Sequence, residues 1–247
     1  MSKDSIDPEM RRRFDAAEKT RIGTTALRSP ALAPSPDALR AHFESATGRA
    51  QTELENPHVE PRVTEEQRAK ATPASVLIGI VLREAGPTVV LTKRHPDISF
   101  PGHWVFPGGR ADAEDPDPLA TALREAEEEI GLAPDRVEVL GRLGDYVSHS
   151  GFRIAPVIAL IEPPVAFTPE PTEVESIAEV PLAHLLDSTS YFVFRFAQRK
   201  ERAHFALDAA PNLHSGDEEI LLTGVTVSLC IGLYADLLKT QIPSSAN

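Results

Sequence analysis

Apolar positions along this chain fall into two regimes that meet near residue 73. Before it the sequence is polar, broken by proline and free of the period-two alternation of a sheet. Residues 9–21 and 37–48 there have the composition of charged helices, separated by a linker at 28–36 carrying Pro30, Pro34 and Pro36. After it, short aliphatic and β-branched runs alternate with turn signals. Residues 76–82 predict a buried strand, and Glu84-Ala85-Gly86-Pro87 turns the chain into 88–92, its hairpin partner. Residues 104–106, 137–143, 153–161 and 176–180 predict further strands, and 182–186 a helical turn. Residues 191–194 and 203–207 predict a pair late in the sheet, and 217–238 the last helix.

Between the third and fourth of these strands lies an amphipathic helix. Leu119, Ala122, Leu123, Ala126 and Ile130 share one stripe, which must pack on a core. Asp117 can cap its start and Pro118 fits the first position. Gly131 supplies a left-handed stop, and Pro134 prevents resumption. Strands around two well-separated helices suggest an α/β protein with a mixed sheet between helices.

Composition narrows the picture. At 247 residues with 41% hydrophobic content, the chain holds one large domain, or a domain with an extension. Twenty-five basic against 37 acidic residues leaves −12, which argues against a broad nucleic-acid surface. An anionic substrate would need local help from a metal and a few arginines. The single cysteine, Cys230, excludes a disulfide framework and agrees with a reducing compartment. The first residues carry no apolar signal region, so a cytoplasmic location is expected. The run from Ile220 to Ala235 is shorter than the roughly 20 residues a membrane span needs and reads as a buried helix.

The chemistry concentrates on the amphipathic helix. Glu125, Glu128 and Glu129 stand at i, i+3 and i+4, on a face away from the apolar stripe. Like charges so spaced cost roughly 0.2–0.5 kcal/mol per pair, a sign that a divalent cation would reverse. Hard oxygen ligands suit Mg²⁺ or Mn²⁺, with Mg²⁺ held by few carboxylates plus substrate phosphates. An acidic triplet alone is more often a solvated helix surface. Arg124 beside the triplet and Gly108-Gly109 just upstream set this one apart.

Phe106-Pro107-Gly108-Gly109-Arg110, an acidic loop, and then Arg124-Glu125-Ala126-Glu127-Glu128-Glu129-Ile130-Gly131-Leu132 together resemble the box of the Nudix hydrolases, G-x5-E-x7-R-E-U-x-E-E-x-G-U with U apolar. Arg124, Glu125, Glu128, Glu129 and Gly131 match position by position. The residue six after Gly109 is Asp115 rather than Glu, and the loop to Arg124 is one residue longer. Both departures are similar to the coenzyme A diphosphatase branch. So are residues 121–125, 141–147, 150–157 and 173–182. Upstream the likeness weakens. Phe100 and His103 stand where that branch has His and Gln, which puts coenzyme A specificity, though not the metal chemistry, in doubt.

The resemblance implies an α/β/α sandwich with a mixed sheet over residues 73–247, preceded by a largely helical or disordered extension at 1–72. It implies a diphosphatase using Mg²⁺ or Mn²⁺, with Glu125, Glu128, Glu129 and the Gly109 carbonyl as metal ligands. Arg124 would hold a box carboxylate, and Glu129 and Glu128 would join it in catalysis, while Glu127 points away. The general base stays open between Glu129, Glu173 and Glu175. Arg94 and Arg110 are the candidates for substrate phosphates, with Lys93 and Arg153 weaker. His95, His103 and His149 read as loop residues, and Trp104 as core. The expected substrate is coenzyme A or an acyl-CoA, cleaved to 3′,5′-ADP and a phosphopantetheine product. ADP-ribose or a dinucleotide is the alternative, and a non-hydrolytic ligand-binding module the alternative of another class. No nucleic acid or membrane partner is expected, and a homodimer is compatible with the extension.

Overall fold

A computed structural model describes residues 8–21, 31–46, 63–195, 204–211 and 219–239. In chain order its main elements are α1 (Pro8–Asp15), β1 (Glu18–Arg21), α2 (Pro36–Ala46), α3 (Glu65–Lys70), β2 (Thr72–Arg83), β3 (Gly86–Arg94), β4 (Trp104–Val105), β5 (Gly108–Arg110) and α4 (Pro118–Ile130). Then follow β6 (Val137–Arg142), β7 (Tyr146–Val147), β8 (Phe152–Ile161), β9 (Val174–Pro181), α5 (Leu182–Leu185), β10 (Tyr191–Arg195), β11 (His204–Pro211), β12 (Glu219–Thr223) and α6 (Gly224–Leu238).

The central sheet is mixed. Its path runs β4-β3-β2-β8-β6, with β2 and β8 parallel and β9 antiparallel to β3. Period two decides its faces. Leu77 and Val81 of β2, Val90 of β3, and Val157, Ala159 and Ile161 of β8 meet Ala122, Ala126 and Ile130 of α4. The intervening residues Ile78, Ile80, Val89, Leu91, Ile158 and Leu160 join a larger core with Leu39 and Phe43 of α2 and Leu229, Leu233 and Leu237 of α6. This is the expected sandwich of helices about a mixed sheet.

One irregularity of the sheet builds the site. Strands β2 and β3 pair only next to their hairpin, from Ile80 with Val89 to Arg83 with Gly86. Beyond that they part, and residues 104–110 enter the gap: β4 pairs with Thr92 and Lys93 of β3, and β5 pairs with Ala74–Val76 of β2. Gly108 is required there. Its φ is +153°, and a Cβ would collide with the Ser75 carbonyl and the Val76 backbone.

Three expectations are corrected. Residues 18–21 form a strand, not the end of a helix, because they pair with Phe192–Arg195 of β10. Strands β10 and β11 do not extend the central sheet; they form a second, four-stranded sheet ordered β1-β10-β11-β12. The predicted last helix begins at Gly224, since Glu219–Thr223 is drawn into that sheet against β11. The helix expected from residue 37 is present as α2 and packs on the domain: Leu32, Leu39 and Phe43 lie in the main core, and Arg40 grips Glu138 of β6 through two 2.8 Å bonds. The rest of the expected extension, at 1–7, 22–30 and 47–62, lies outside the described residues. Among the described residues no helix is long and apolar enough to cross a membrane.

Candidate active site

Helix α4 carries the cluster, and its ends are as the sequence predicts. The Asp117 side chain accepts from Ala120 N–H at 2.9 Å, Pro118 opens the helix, and Gly131 closes it at φ +67°. Ala122, Ala126 and Ile130 are buried, which fixes the helix's rotation on the sheet and turns its carboxylates toward Gly108 and Gly109. Leu119 and Leu123 are only half-buried.

Arg124 is the hub. Its Nε and one terminal nitrogen clasp both oxygens of Asp115, at 3.2 and 3.0 Å. The other terminal nitrogen donates to Glu125 and to Glu128, both at 3.0 Å. A further bond at 3.0 Å reaches the Arg110 carbonyl. The shorter side chain of Asp115 thus fits the longer loop, and Thr121 Oγ1 and the Asp112 N–H, each at 2.9 Å, complete its shell. Bonds from Arg124, Asp112 and Thr121 hold the Asp115 carboxyl well below the usual carboxylate range, and the Arg124 guanidinium is raised in turn. Thr121, buried and bonded to Asp115, was given no role from the sequence, although it opens the 121–125 segment that resembles the coenzyme A branch.

Glu129 departs from expectation. It does not stand on an exposed face; only 4% of its surface is accessible. Its carboxylate accepts a single backbone N–H, from Gly108 at 3.2 Å. Burial pushes its pKa up to about 8, aided by the charges of Glu125 and Glu173 and opposed by the Gly108 bond and Arg94. Burial also raises the Glu125 carboxyl, against the pull of Arg124. The residues after β8 close over the end of α4, with Glu170 N–H bonded to the Glu129 carbonyl at 2.9 Å. Glu128 and Glu127 are exposed.

Gly109 lies directly over Glu125: a Cβ on it would come within 2.5–2.6 Å of the carboxylate. The residues therefore leave a cradle above a set of hard oxygen donors, which suits a small divalent cation. Among the described residues no three acidic, histidine or cysteine side chains form a ready-made metal cage. Arg124 holds Glu125 and Glu128, and sites for Mg²⁺ typically draw their remaining ligands from water and substrate phosphate.

The peripheral candidates divide. Arg94 ends β3 with its Nε on the Ser99 carbonyl at 2.7 Å, and its charge reaches Glu129. Arg110 is exposed and lies over the Phe152 ring at 5.3 Å. Lys93 is buried and paired with Glu175 at 3.0 Å. Arg153 is engaged by the Arg68 carbonyl at 2.9 Å. Glu173 is exposed, and its charge is felt by both Glu125 and Glu129. His95 and His103 lie in the loop between β3 and β4, His149 in the turn before β8, and Trp104 is buried.

Comparison with known proteins gives one consistent answer. A family model described as the NUDIX domain matches residues 72–203. An uncharacterized Nudix hydrolase, NudL, of Photorhabdus laumondii subsp. laumondii is 38% identical over 130 residues, 52% of this chain and 69% of that protein. NudL of Pectobacterium atrosepticum is 38% identical over the same length, 52% of this chain and 67% of its own. Among solved structures, the Nudix hydrolase RenU from M. smegmatis is 23% identical, covering 55% of this chain and 81% of that one, with a TM-score of 0.40.

Proposed function

The chain belongs to the Nudix family and is a hydrolase of diphosphate bonds; on that premise we propose that it cleaves coenzyme A or an acyl-CoA to 3′,5′-ADP and a phosphopantetheine product. The observation that carries the site assignment is the shared grip of Arg124 on Asp115, Glu125 and Glu128, with Glu129 buried behind Gly108-Gly109. Glu125, Glu128 and Glu129, with the Gly109 carbonyl, would hold Mg²⁺ or Mn²⁺. When bound, the ion neutralises phosphate charge and acidifies water.

The chain's own residues supply the rest. Arg124 acts as a positioning residue, fixing the rotamers of three carboxylates before substrate arrives. Arg94, half-buried at the end of β3 and braced on the Ser99 carbonyl, is the preferred ligand for a phosphate oxygen; Arg110, which is exposed, is the weaker of the two. In hydrolysis a water oxygen forms a bond to one phosphorus while the bridging P–O bond breaks, and the water proton passes to a carboxylate. Glu129 or Glu173 takes it. Glu175 is the poorer choice, since buried Lys93 already neutralises it.

A second reading, cleavage of ADP-ribose or a dinucleotide, is favoured by one feature. Phe100 and His103 occupy the loop positions where the coenzyme A branch has His and Gln. Incubation of coenzyme A, acetyl-CoA, ADP-ribose and a diadenosine polyphosphate with Mg²⁺ or Mn²⁺, followed by separation of products, tests both. Release of 3′,5′-ADP from coenzyme A supports the first. Brisk ADP-ribose cleavage with coenzyme A untouched rejects it in favour of the second.

A further inference from the structure

The loop between β3 and β4 contains a residue that folding alone does not explain. Phe100 is 57% exposed, and among the described residues it is the one large hydrophobic side chain left so open. It is also the one non-glycine residue there with a positive φ, +58°. A single exposed apolar residue is ordinary. A bulky side chain in left-handed backbone is not, because its Cβ crowds the neighbouring carbonyl. Here neither burden is offset by burial.

The loop that carries this ring is nevertheless well tied. Ser99 O accepts from Arg94 Nε at 2.7 Å, Gly102 N–H bonds the Arg94 carbonyl at 3.0 Å, and His95 N–H bonds the Glu173 carbonyl at 2.9 Å. His103 meets the ring nearly at right angles, with centroids 6.3 Å apart. One anchor leads by backbone bonds to the acidic cluster: beyond His95 and Glu173, Glu173 N–H bonds the Glu170 carbonyl at 3.1 Å and Glu170 N–H the Glu129 carbonyl at 2.9 Å. The ring is thus held outward on a braced loop beside the candidate phosphate ligand.

We propose that Phe100 is the platform on which the substrate's nucleobase stacks, the loop spending backbone strain to fix that ring relative to Arg94 and the carboxylates. This rests on the reading that the substrate carries a nucleoside diphosphate. Base-on-aromatic stacking is tolerant of sequence and strong enough to matter. Strain stored at a ligand contact is the pattern expected of a preorganised site.

The test separates binding from turnover. In F100W, ADP with Mg²⁺ should quench tryptophan fluorescence while inorganic diphosphate with Mg²⁺ should not; the unaltered protein, whose Trp104 is buried, should respond to neither. With a hydrolysed nucleotide substrate, F100A and F100L should raise KM about 5- to 100-fold with kcat little changed, and F100W should restore it. F100G should raise KM likewise while leaving Tm equal or higher, because it relieves the backbone. Absence of quenching in F100W, or a normal KM in F100L, overturns the platform even where the enzyme is active. Quenching in a protein that hydrolyses nothing on the panel leaves the platform standing and removes the catalytic reading instead.

Discussion

Two carboxylates in this protein are equally buried and treated in opposite ways. Glu179 of β9 and Glu129 of α4 each expose 4% of their surface. Glu179 accepts two bonds from Arg83, at 3.0 and 2.6 Å, and one from Thr88 at 2.6 Å. Glu129 accepts one weak backbone bond and sits among other acids. Where a buried carboxyl serves the fold, the fold satisfies it; one left short of partners stays open to a ligand that arrives later. The contrast singles out Glu129 without reference to any motif.

The sharpest way to break the contrast is E129Q. Activity should fall roughly 10²–10⁴-fold, while Tm below about pH 8 holds, because an amide keeps the acceptor for Gly108 and, like the protonated carboxyl, carries no charge. Near-normal turnover in a folded E129Q protein would falsify the site assignment. E179A should behave in reverse. It strands Arg83 and Thr88, and with Arg83 a third exposed the destabilisation should be about 2–4 kcal/mol, read by urea denaturation, with activity per folded molecule retained. Should E179A lose activity without losing stability, the division of labour is wrong.

R124K comes next. Lysine keeps the charge but cannot clasp Asp115 with two nitrogens while reaching Glu125 and Glu128. A loss of about 10- to 100-fold in kcat/KM or metal affinity is expected, and an unchanged apparent metal affinity together with unchanged kcat/KM would remove Arg124 from its positioning role. The smallest effect is on pH. Without metal, Glu129 keeps its proton to about pH 8, whereas its ordinary value is 4.5. Between those limits the unfolded chain binds fewer protons than the folded one, so this group makes stability fall as pH rises. Tm measured in chelator should decline more steeply from pH 5 to 8 in the unaltered protein than in E129Q. Parallel curves would mean that Glu129 ionises normally.

Much of this was legible in one dimension. Asp117, Pro118, Gly131 and the apolar stripe define α4 through local capping and periodicity, and β2, β3 and β8 announce themselves by aliphatic and β-branched runs, whereas β5, Gly-Gly-Arg, does not. The second sheet was not legible. Residues 18–21 read Glu-Lys-Thr-Arg, which has no strand character of its own and becomes a strand only because β10 offers an edge. Residues 219–223 continue an apolar run into α6, and period alone cannot divide a buried strand from a buried helix. The pairing of Lys93 with Glu175, across 82 positions, is equally invisible.

By itself the sequence determined the helix, its ends, and which carboxylates could gather on it, because those follow from backbone chemistry within a few residues. Tertiary structure alone decided that Glu129 lies dry beneath Gly108 of β5 while Glu128 faces water, though the two are neighbours in the chain. Burial depends on what closes over a residue from elsewhere: here β5 wedged between parted strands and the segment after β8, neither of which leaves a mark on the helix's own sequence.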